Sequence, residues 1–159
     1  MLFRSALARY LLDAPSMIAG RRVVDLGCGS GLGAVAAARC GASDVLAADV
    51  DRIALIAAAM NAAENGVGLA TTSADLLAAP PPPLDVLLIG DLFYERELAR
   101  RALAFADAAA QSGAVVLCGD PQRSYFPKDQ FQQVAEYRVP VTRELEDSEI
   151  KRTGVWRLI

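Results

Sequence analysis

Val-Val-Asp-Leu-Gly-Cys-Gly-Ser-Gly-Leu-Gly, at residues 23–33, carries more structural information than any other segment of the chain. Its first four residues are typical of a short strand, and they run directly into glycines at alternate positions. Glycines spaced in this way allow the backbone to approach a ligand closely and leave N–H groups facing it. An alanine-rich helical pattern follows over residues 32–40 and ends at Gly41. The segment therefore predicts a strand, a ligand-binding turn and a helix, the opening of a βαβ unit.

The rest of the chain alternates short apolar runs with helical patterns. Further strands are predicted at residues 45–48, 69–72, 86–89, 114–118 and 155–158, and helices at residues 2–12, 53–64 and 98–109. Alternation of apolar residues at Tyr137, Val139 and Val141 adds one more strand near the C-terminus. We expect an α/β fold: a doubly wound, mostly parallel, Rossmann-like seven-stranded sheet with an antiparallel C-terminal hairpin at one edge.

Three local features of this pattern lead to more specific expectations. Ile53, Ile56 and Met60 share a helix with Ala57 and Glu64, and this spacing predicts an apolar face turned to the core. Residues 80–83 are four consecutive prolines, which predict a stiff surface connection. Asp51 is expected to cap the helix that follows it, and Asn65-Gly66 to end that helix.

Composition excludes several classes of function. The 159 residues are 53% hydrophobic and 22% charged, which fits a single domain over residues 1–159. A net charge of −3 disfavours nucleic-acid binding through phosphates. The absence of histidine excludes Ser-His-Asp and Cys-His catalysis and histidine-bound metals. Three cysteines without Cys-x-x-Cys spacing indicate reduced packing thiols in a cytoplasmic protein, and we expect neither a metal site, a signal peptide nor a membrane span.

Three classes of ligand use a glycine-rich turn after a strand. A nucleoside-triphosphate loop needs a Gly-Lys pair, and the chain contains none. A dinucleotide motif fits Gly29, Gly31 and Ala34, with Asp49 placed for a ribose. Asp25 disfavours the dinucleotide because it would bring negative charge towards a pyrophosphate. The amino group of an amino-acid moiety, as in S-adenosylmethionine, would instead partner this acid, unless Asp25 only braces the N–H groups of the loop.

Two further acids follow strands in the same way. Asp49 ends the second strand, where a carboxylate can accept both ribose hydroxyls. Asp75 follows the third strand and could accept an adenine amino group, although taken alone it would be an ordinary cap residue. Acids at three successive strand ends favour a nucleoside-containing cofactor.

These residues resemble the class I S-adenosylmethionine-dependent methyltransferases over most of the chain. Residues 90–95, Gly-Asp-Leu-Phe-Tyr-Glu, follow the fourth strand, and their Asp-x-x-Tyr pattern resembles the signature of seven-β-strand methyltransferases that modify protein lysines. Residues 61–66, 119–123 and 152–156 resemble the electron transfer flavoprotein β-subunit lysine methyltransferases and their bacterial relatives. The resemblance implies S-adenosylmethionine as cofactor, S-adenosylhomocysteine as product and the flavoprotein β subunit as substrate.

The resemblance also assigns candidate site residues. It implies that Asp91 and Tyr94 are catalytic, Asp91 by stabilising the cation that forms on the amine and Tyr94 by hydrogen bonding to that amine. It implies a cofactor site made of Asp25, Gly27, Cys28, Gly29, Ser30, Gly31, Asp49, Val50, Asp75, Leu76 and Gly90, and substrate contacts from Phe93, Pro121 and Arg123. The competing roles are a helix cap for Asp91, a half-buried packing residue for Tyr94 and a surface ion pair for Arg123.

Two departures from the family widen the range of functions that the sequence allows. The segment before the first helix is short relative to the family, so a cofactor-binding but catalytically impaired domain competes with an active monomeric enzyme. Gln122 replaces the glycine of the family's Gly-Asp-Pro-Gly-Arg, and it would be strained if a positive φ is needed there. The sequence also leaves open a methyltransferase of another protein, such as a ribosomal protein, or of a small molecule, and a nicotinamide-dependent enzyme.

Overall fold

The computed structural model describes residues 2–140 and 150–159, with side chains described for residues 4–138 and 152–159. Its helices are α1 (Leu2–Asp13), α2 (Leu32–Arg39), α3 (Arg52–Glu64) and α4 (Arg96–Gln111). Its strands are β1 (Arg22–Leu26), β2 (Asp44–Ala48), β3 (Ala70–Thr72), β4 (Val86–Gly90), β5 (Val115–Asp120), β6 (Phe131–Pro140) and β7 (Ile150–Leu158). Each predicted element is present, with bounds that differ mainly in the C-terminal hairpin. Proline residues 80–83 form the predicted connection, without helix or strand.

One seven-stranded sheet forms the centre of the fold, in the order β3-β2-β1-β4-β5-β7-β6. The five strands from β3 to β5 are parallel, while β7 runs antiparallel to both β5 and β6. The chain winds outwards from β1 to β3 and then returns to place β4 on the other side of β1. The carboxyl ends of β1 and β4 therefore flank a topological switch point, where open α/β sheets bind their ligands.

Both faces of the sheet are covered, which explains the apolar run of β4. Val86 and Leu88 belong to the core cluster that includes α1 and α2, whereas Leu87 and Ile89 belong to the cluster under α4. All four side chains are almost completely buried. A strand buried on both faces has no solvent side, so its sequence is continuously hydrophobic.

The C-terminal hairpin confirms the predicted antiparallel pair and changes its arrangement. The last strand, β7, lies inside the sheet between β5 and β6, and β6 forms the edge. The alternating pattern predicted this strand from Tyr137 onwards, but β6 already begins at Phe131, and Val141 lies outside the described residues. A register irregularity between Gln133 and Ala135 interrupts the strict alternation of β6, which hides its first half from a sequence pattern.

Helix α3 contradicts the prediction of a large apolar face turned to the core. Ile53, Ile56 and Met60 are 76%, 61% and 67% exposed, whereas the buried residues of the helix are Ala58 and Ala62. A Cβ on Gly31 would lie 2.7 Å from the Cβ of Ala58, so small residues bring this helix close to the glycine loop. The close approach leaves no room for larger side chains on the inner face. The caps were predicted correctly, because Asp51 accepts from the Ile53 N–H and Gly66 takes a positive φ.

Alanine substitutions at Gly31 and Gly66 test this close packing. Both glycines have a positive φ, but only Gly31 faces another side chain, and Gly66 has no neighbour within 4 Å. We expect Gly66→Ala to cost about 1 kcal/mol from backbone strain, and Gly31→Ala about 2–4 kcal/mol from strain plus overlap with Ala58. Urea unfolding of both variants measures the difference. Equal losses would contradict the proposed contact.

Candidate functional site

A cavity of about 430 Å³ opens at the switch point between β1 and β4. Its size lies within the usual range for small-molecule sites. The predicted residues that line it are Gly27, Asp49, Val50, Asp75, Leu76, Asp91 and Tyr94. Arg4, Gly29, Ser30 and Asp91 line an adjoining recess. The structure thus brings together residues from the ends of β1, β2, β3 and β4, as the positions of the acids predicted.

The N–H groups of the glycine loop are mostly used within the chain. The Cys28 N–H donates to the Ala48 carbonyl at 2.9 Å, and the Gly31 N–H donates to the Cys28 carbonyl at 2.9 Å. The Gly29 N–H donates to the Asp49 carboxylate at 2.8 Å. The expectation that these groups face a ligand is wrong for these three positions. Because these N–H groups already have acceptors in the chain, they cannot also bind a pyrophosphate. This arrangement disfavours a dinucleotide as the ligand.

Asp25 lies beneath the glycine loop and is almost completely buried. Its Oδ2 accepts a hydrogen bond from the Ala34 N–H at 2.8 Å, in the first turn of α2. Burial raises the pKa of Asp25 to about 6, while the nearby positive charge of Arg4 and the Ala34 N–H oppose the rise. The bracing role considered for Asp25 is therefore present. A cationic ligand group near this carboxyl would stabilise its charged form further.

Asp49 and Asp75 are also held by local hydrogen bonds. Asp49 accepts from the N–H groups of Gly29 and Asp51, so it ties β2 to the glycine loop. Asp75 accepts from the Leu77 N–H and forms a 2.6 Å ion pair with Arg101 of α4. The cap role expected of an ordinary Asp75 is thus observed, and its place in the cavity wall leaves the adenine contact a prediction.

Asp91 has a positive φ of 60° immediately after β4. Its two carboxylate oxygens accept from Arg123, at 2.8 Å from Nε and 3.2 Å from Nη2. The competing role as a helix cap is wrong, because Glu95 caps α4 by accepting from two N–H groups of its first turn. Tyr94 is 57% exposed at the cavity mouth, so it is not the half-buried packing residue of the competing interpretation.

The loop after β5 positions Arg123 against Asp91. Gln122 has a positive φ of 68°, so the condition for the backbone strain expected at this non-glycine residue is met. Asp120 is fully buried, and its Oδ1 accepts from the Arg123 N–H at 2.7 Å. The surface ion pair considered for Arg123 therefore exists, and its partner is the predicted catalytic acid.

Burial raises the pKa of Asp120 to about 6, and the neighbouring Asp91 adds to the rise. Backbone N–H groups of Gln122 and Arg123 and the Arg123 charge oppose it. Among the described residues, nothing hydrogen bonds to Asp120 Oδ2. A buried carboxyl with one unsatisfied oxygen carries a desolvation cost that protonation relieves.

Two of the predicted contacts need correction. Phe93 is fully buried and packs edge-to-face on Phe126 and Phe131, with ring centroids 5.4 and 6.2 Å away, so its ring belongs to the core rather than to a substrate surface. Cys28 is buried as well, and burial raises its thiol pKa to about 12, so it supplies neither a surface contact nor a nucleophile. Phe126, Phe131 and Trp156 pack in the same buried cluster as Phe93.

The remaining predicted residues have more limited roles. Pro121 is half-buried and lies two residues before Arg123 in the sequence, and the Gly90 carbonyl accepts from Arg4 Nη2 at 3.3 Å. Arg4, Arg101 and Asp120 were not predicted as site residues. Asp120 could have been found, because it ends a parallel strand as Asp25 nearly does. Arg4 could not, since its contact with Gly90 joins positions 86 residues apart.

Some classes of site are not found in the described structure. No group of three His, Cys, Asp or Glu side chains within residues 2–140 and 150–159 is arranged to hold a metal ion. Over the same residues, none of the helices has both the length and the apolar character needed to cross a bilayer.

The sequence is similar to known methyltransferases. A family model described as ribosomal protein L11 methyltransferase (PrmA) matches residues 7–88, slightly more than half of the chain. An electron transfer flavoprotein beta subunit lysine methyltransferase from Danio rerio is 37% identical over 158 residues, covering 96% of this chain and 61% of that protein. A ribosomal protein L11 methyltransferase from Geobacter sulfurreducens is 37% identical over 124 residues, covering 77% of this chain and 40% of that protein. The chain thus spans about three fifths of the flavoprotein-directed relative.

Solved structures share the fold. A Thermoplasma acidophilum protein designated 1320 superposes with a TM-score of 0.75 at 19% identity, covering 99% of this chain and 97% of the other. The ribosomal protein L11 methylase of Lactobacillus delbrueckii subsp. bulgaricus gives a TM-score of 0.65 at 24% identity, covering 96% of this chain and 77% of the other. At these identities the similarity concerns the fold alone.

Replacing Asp120 with asparagine tests the buried carboxyl. Because burial raises the pKa of Asp120 from 3.8 to about 6, the folded protein loses stability as the pH rises through this interval. Asparagine keeps the acceptor for the Arg123 N–H and cannot ionise. The free energy of unfolding of Asp120→Asn, relative to that of the wild type, is expected to rise by about 2 kcal/mol between about pH 4 and pH 7. Urea unfolding at both pH values measures this, and a difference that does not change with pH would contradict it.

Proposed function

We propose that this chain, which belongs to the ribosomal protein L11 methyltransferase (PrmA) family, transfers methyl groups from S-adenosylmethionine to lysine side chains of a protein. The observation that carries the proposal is the meeting of Asp91 and Tyr94 at the mouth of the switch-point cavity. An acid and an exposed tyrosine at the end of β4 can receive an amine that enters from solvent. Asp49, after β2, lies further along the same wall, whereas Asp25 of β1 is buried beneath the glycine loop.

The cavity fits a nucleoside cofactor that carries an amino-acid moiety. Gly29 and Gly90 both lie against the side chain of Arg4, and a Cβ on either would collide with it. Asp49 stands at the end of β2, where it can accept ribose hydroxyls, while Asp75 and Leu76 form the wall beyond it. When bound, S-adenosylmethionine supplies an electrophilic methyl group and a good leaving group, so the protein contributes mainly position and electrostatics.

Asp91 and Arg123 together set the charge that an incoming lysine meets. A lysine must lose a proton before its amine can attack, and a lone carboxylate would hold it in the charged form. The Arg123 guanidinium, 2.8 Å from Asp91, offsets that effect while leaving the carboxylate aimed by two hydrogen bonds. The pair therefore holds the incoming amine in its charged form less strongly than Asp91 alone would, and it leaves a carboxylate beside the cation that transfer creates.

Tyr94 complements this pair at the entrance. Its exposed ring can line a channel for the four-carbon stem of lysine, and its hydroxyl can hydrogen bond to the amine. A long side chain reaching a recessed electrophile needs such a channel, because the attacking atom must be in line with the leaving group.

The β subunit of electron transfer flavoprotein is the protein substrate that we propose. Relatives named for that substrate align with 96% of this chain in Danio rerio and 95% in Homo sapiens. The ribosomal protein L11 methyltransferase of Geobacter sulfurreducens aligns with 77%. Ribosomal protein L11 is the second candidate, supported by the family model that matches residues 7–88.

Intact-mass analysis of both candidate substrates tests the activity and the acceptor together. We expect added methyl masses on the flavoprotein β subunit after incubation with this chain and S-adenosylmethionine. Asp91→Asn should reduce the initial rate by about 100-fold, because the amide cannot stabilise the cation formed on the amine. Asparagine tolerates the positive φ at this position, so the variant should keep its fold.

Asp129→Asn is the matched control, since it removes an exposed acid in the short helix before β6. It should leave the rate unchanged. If only ribosomal protein L11 gained methyl masses, it would be the substrate instead of the flavoprotein β subunit. Binding of S-adenosylhomocysteine without methylation of any protein would instead support a cofactor-binding domain that does not catalyse transfer.

Arg123→Ala tests the charge balance at Asp91. Without the guanidinium, the carboxylates of Asp91 and Asp120 act on the incoming amine alone, and the amine holds its proton more tightly. We expect the midpoint of the profile of kcat/KM against pH to move upwards by about one unit. Arg123→Lys should reverse much of the shift. A lower rate with an unchanged midpoint would show that Arg123 acts only through packing or substrate contact.

A further inference from the structure

Arg4 occupies a place in the site that neither the sequence motifs nor the comparisons assign. It lies on α1, near the start of the described chain. Its side chain extends between the glycine loop and the end of β4. A Cβ on Gly29 would lie 1.8 Å from Arg4 Nη1, and a Cβ on Gly90 would lie 2.7 Å from Arg4 Cγ. The absence of a side chain at both glycines thus creates the space that the arginine fills.

The hydrogen bond that Arg4 makes is weak for a partly buried cation. Its Nη2 donates to the Gly90 carbonyl at 3.3 Å, and no ion pair joins it to a carboxylate in the part of the chain that the structure describes. Arginine usually pairs with anions through two parallel hydrogen bonds, which are stronger than a single bond to a neutral carbonyl. The guanidinium is therefore ready to exchange this contact for an anionic one.

A carboxylate ligand bound in the surrounding cavity would require a cationic partner at this position. Asp49, Asp75 and Asp91 line it, and although arginines pair with Asp75 and Asp91, Asp49 is held, within the described chain, by backbone N–H groups alone. A ligand with a free amino-acid moiety brings a carboxylate as well as an ammonium group, and the carboxylate would be repelled by these acids. Among the described lining residues the cations are Arg4 and Arg101, and Arg101 is already paired with Asp75 at 2.6 Å.

Three N–H groups of the loop are already used within the chain, and the loop carries no positive charge. The N–H groups of Cys28, Gly29 and Gly31 all donate within the chain. Arg4 is therefore the remaining described donor with the right charge at the glycine end of the cavity. Its flexible stem allows the guanidinium to move aside and stay in contact with a ligand that enters between Gly29 and Gly90.

We propose that Arg4 binds the carboxylate of the cofactor's amino-acid moiety and so links helix α1 to the cofactor. The assignment rests on the proposed function. Leu7 and Leu11 of the same helix are buried in the core, so the arginine projects from a docked helix rather than from a loose arm. Helix α1 therefore contributes a residue to the same cofactor site as the glycine loop.

Binding measurements with two ligands that differ only in this carboxylate test the proposal. The ligands are S-adenosylmethionine and decarboxylated S-adenosylmethionine, with Kd measured by isothermal titration calorimetry. We expect the wild type to prefer the carboxylate form by about 10- to 100-fold, as for a charge-assisted pair. Arg4→Ala should reduce this preference to about two-fold or less, and Arg4→Lys should keep part of it.

Arg9→Ala is the control on the same helix, because Arg9 pairs with Asp13 at 2.9 Å on the exposed side. It should leave the preference unchanged. The ratio of the two affinities is insensitive to a general loss of helix docking, which weakens both ligands alike. The assignment would be overturned if Arg4→Ala kept the preference for the carboxylate form, or if this variant bound both ligands more tightly by the same factor. Failure of the wild type to bind either ligand would instead overturn the proposed cofactor.

Discussion

Two carboxylates hold the glycine loop in place, Asp25 by binding the start of the helix that follows it and Asp49 by binding the loop itself, and the rest of the site depends on them. Asp25 accepts from the first turn of α2, and Asp49 accepts from the Gly29 N–H. Gly27, Gly29 and Gly31 all adopt positive φ values, which other residues take only at a cost in strain. Charge, hydrogen bonding and backbone freedom therefore act together to fix the switch point, where the cavity opens.

The site is built from acids that are each held by a donor of the chain. Asp75 has Arg101, Asp91 has Arg123, and Asp49 has backbone N–H groups. Such partners keep each carboxylate in one orientation, and they also limit the negative potential that several acids would otherwise create together. A site of this kind can attract a cationic ligand without holding an amine permanently in its protonated form.

The C-terminal hairpin packs against the loop that carries Arg123, the partner of Asp91 in the cavity wall. Trp156 of β7 donates its ring N–H to the Asp120 carbonyl at 3.0 Å, and Asp120 in turn accepts from the Arg123 N–H. Phe93 packs in the same aromatic cluster, directly before Tyr94 in the chain. The late strands of the sheet thus help to position residues that follow β4, far earlier in the sequence.

Local sequence determined the strands, most helix ends and the line of acids, because these follow from periodicity, glycine placement and strand termini. It also identified Gln122 as a position that would be strained under a positive φ, and the structure shows that φ. The sequence did not determine the exposed face of α3, since an apolar spacing does not show whether small or large residues meet the neighbouring loop. Three features join residues that are distant in the chain: the position of β7 between β5 and β6, the Asp91–Arg123 pair and the contact of Arg4 with Gly90. Only the tertiary structure decided them, because such contacts arise from how the elements pack rather than from any local pattern.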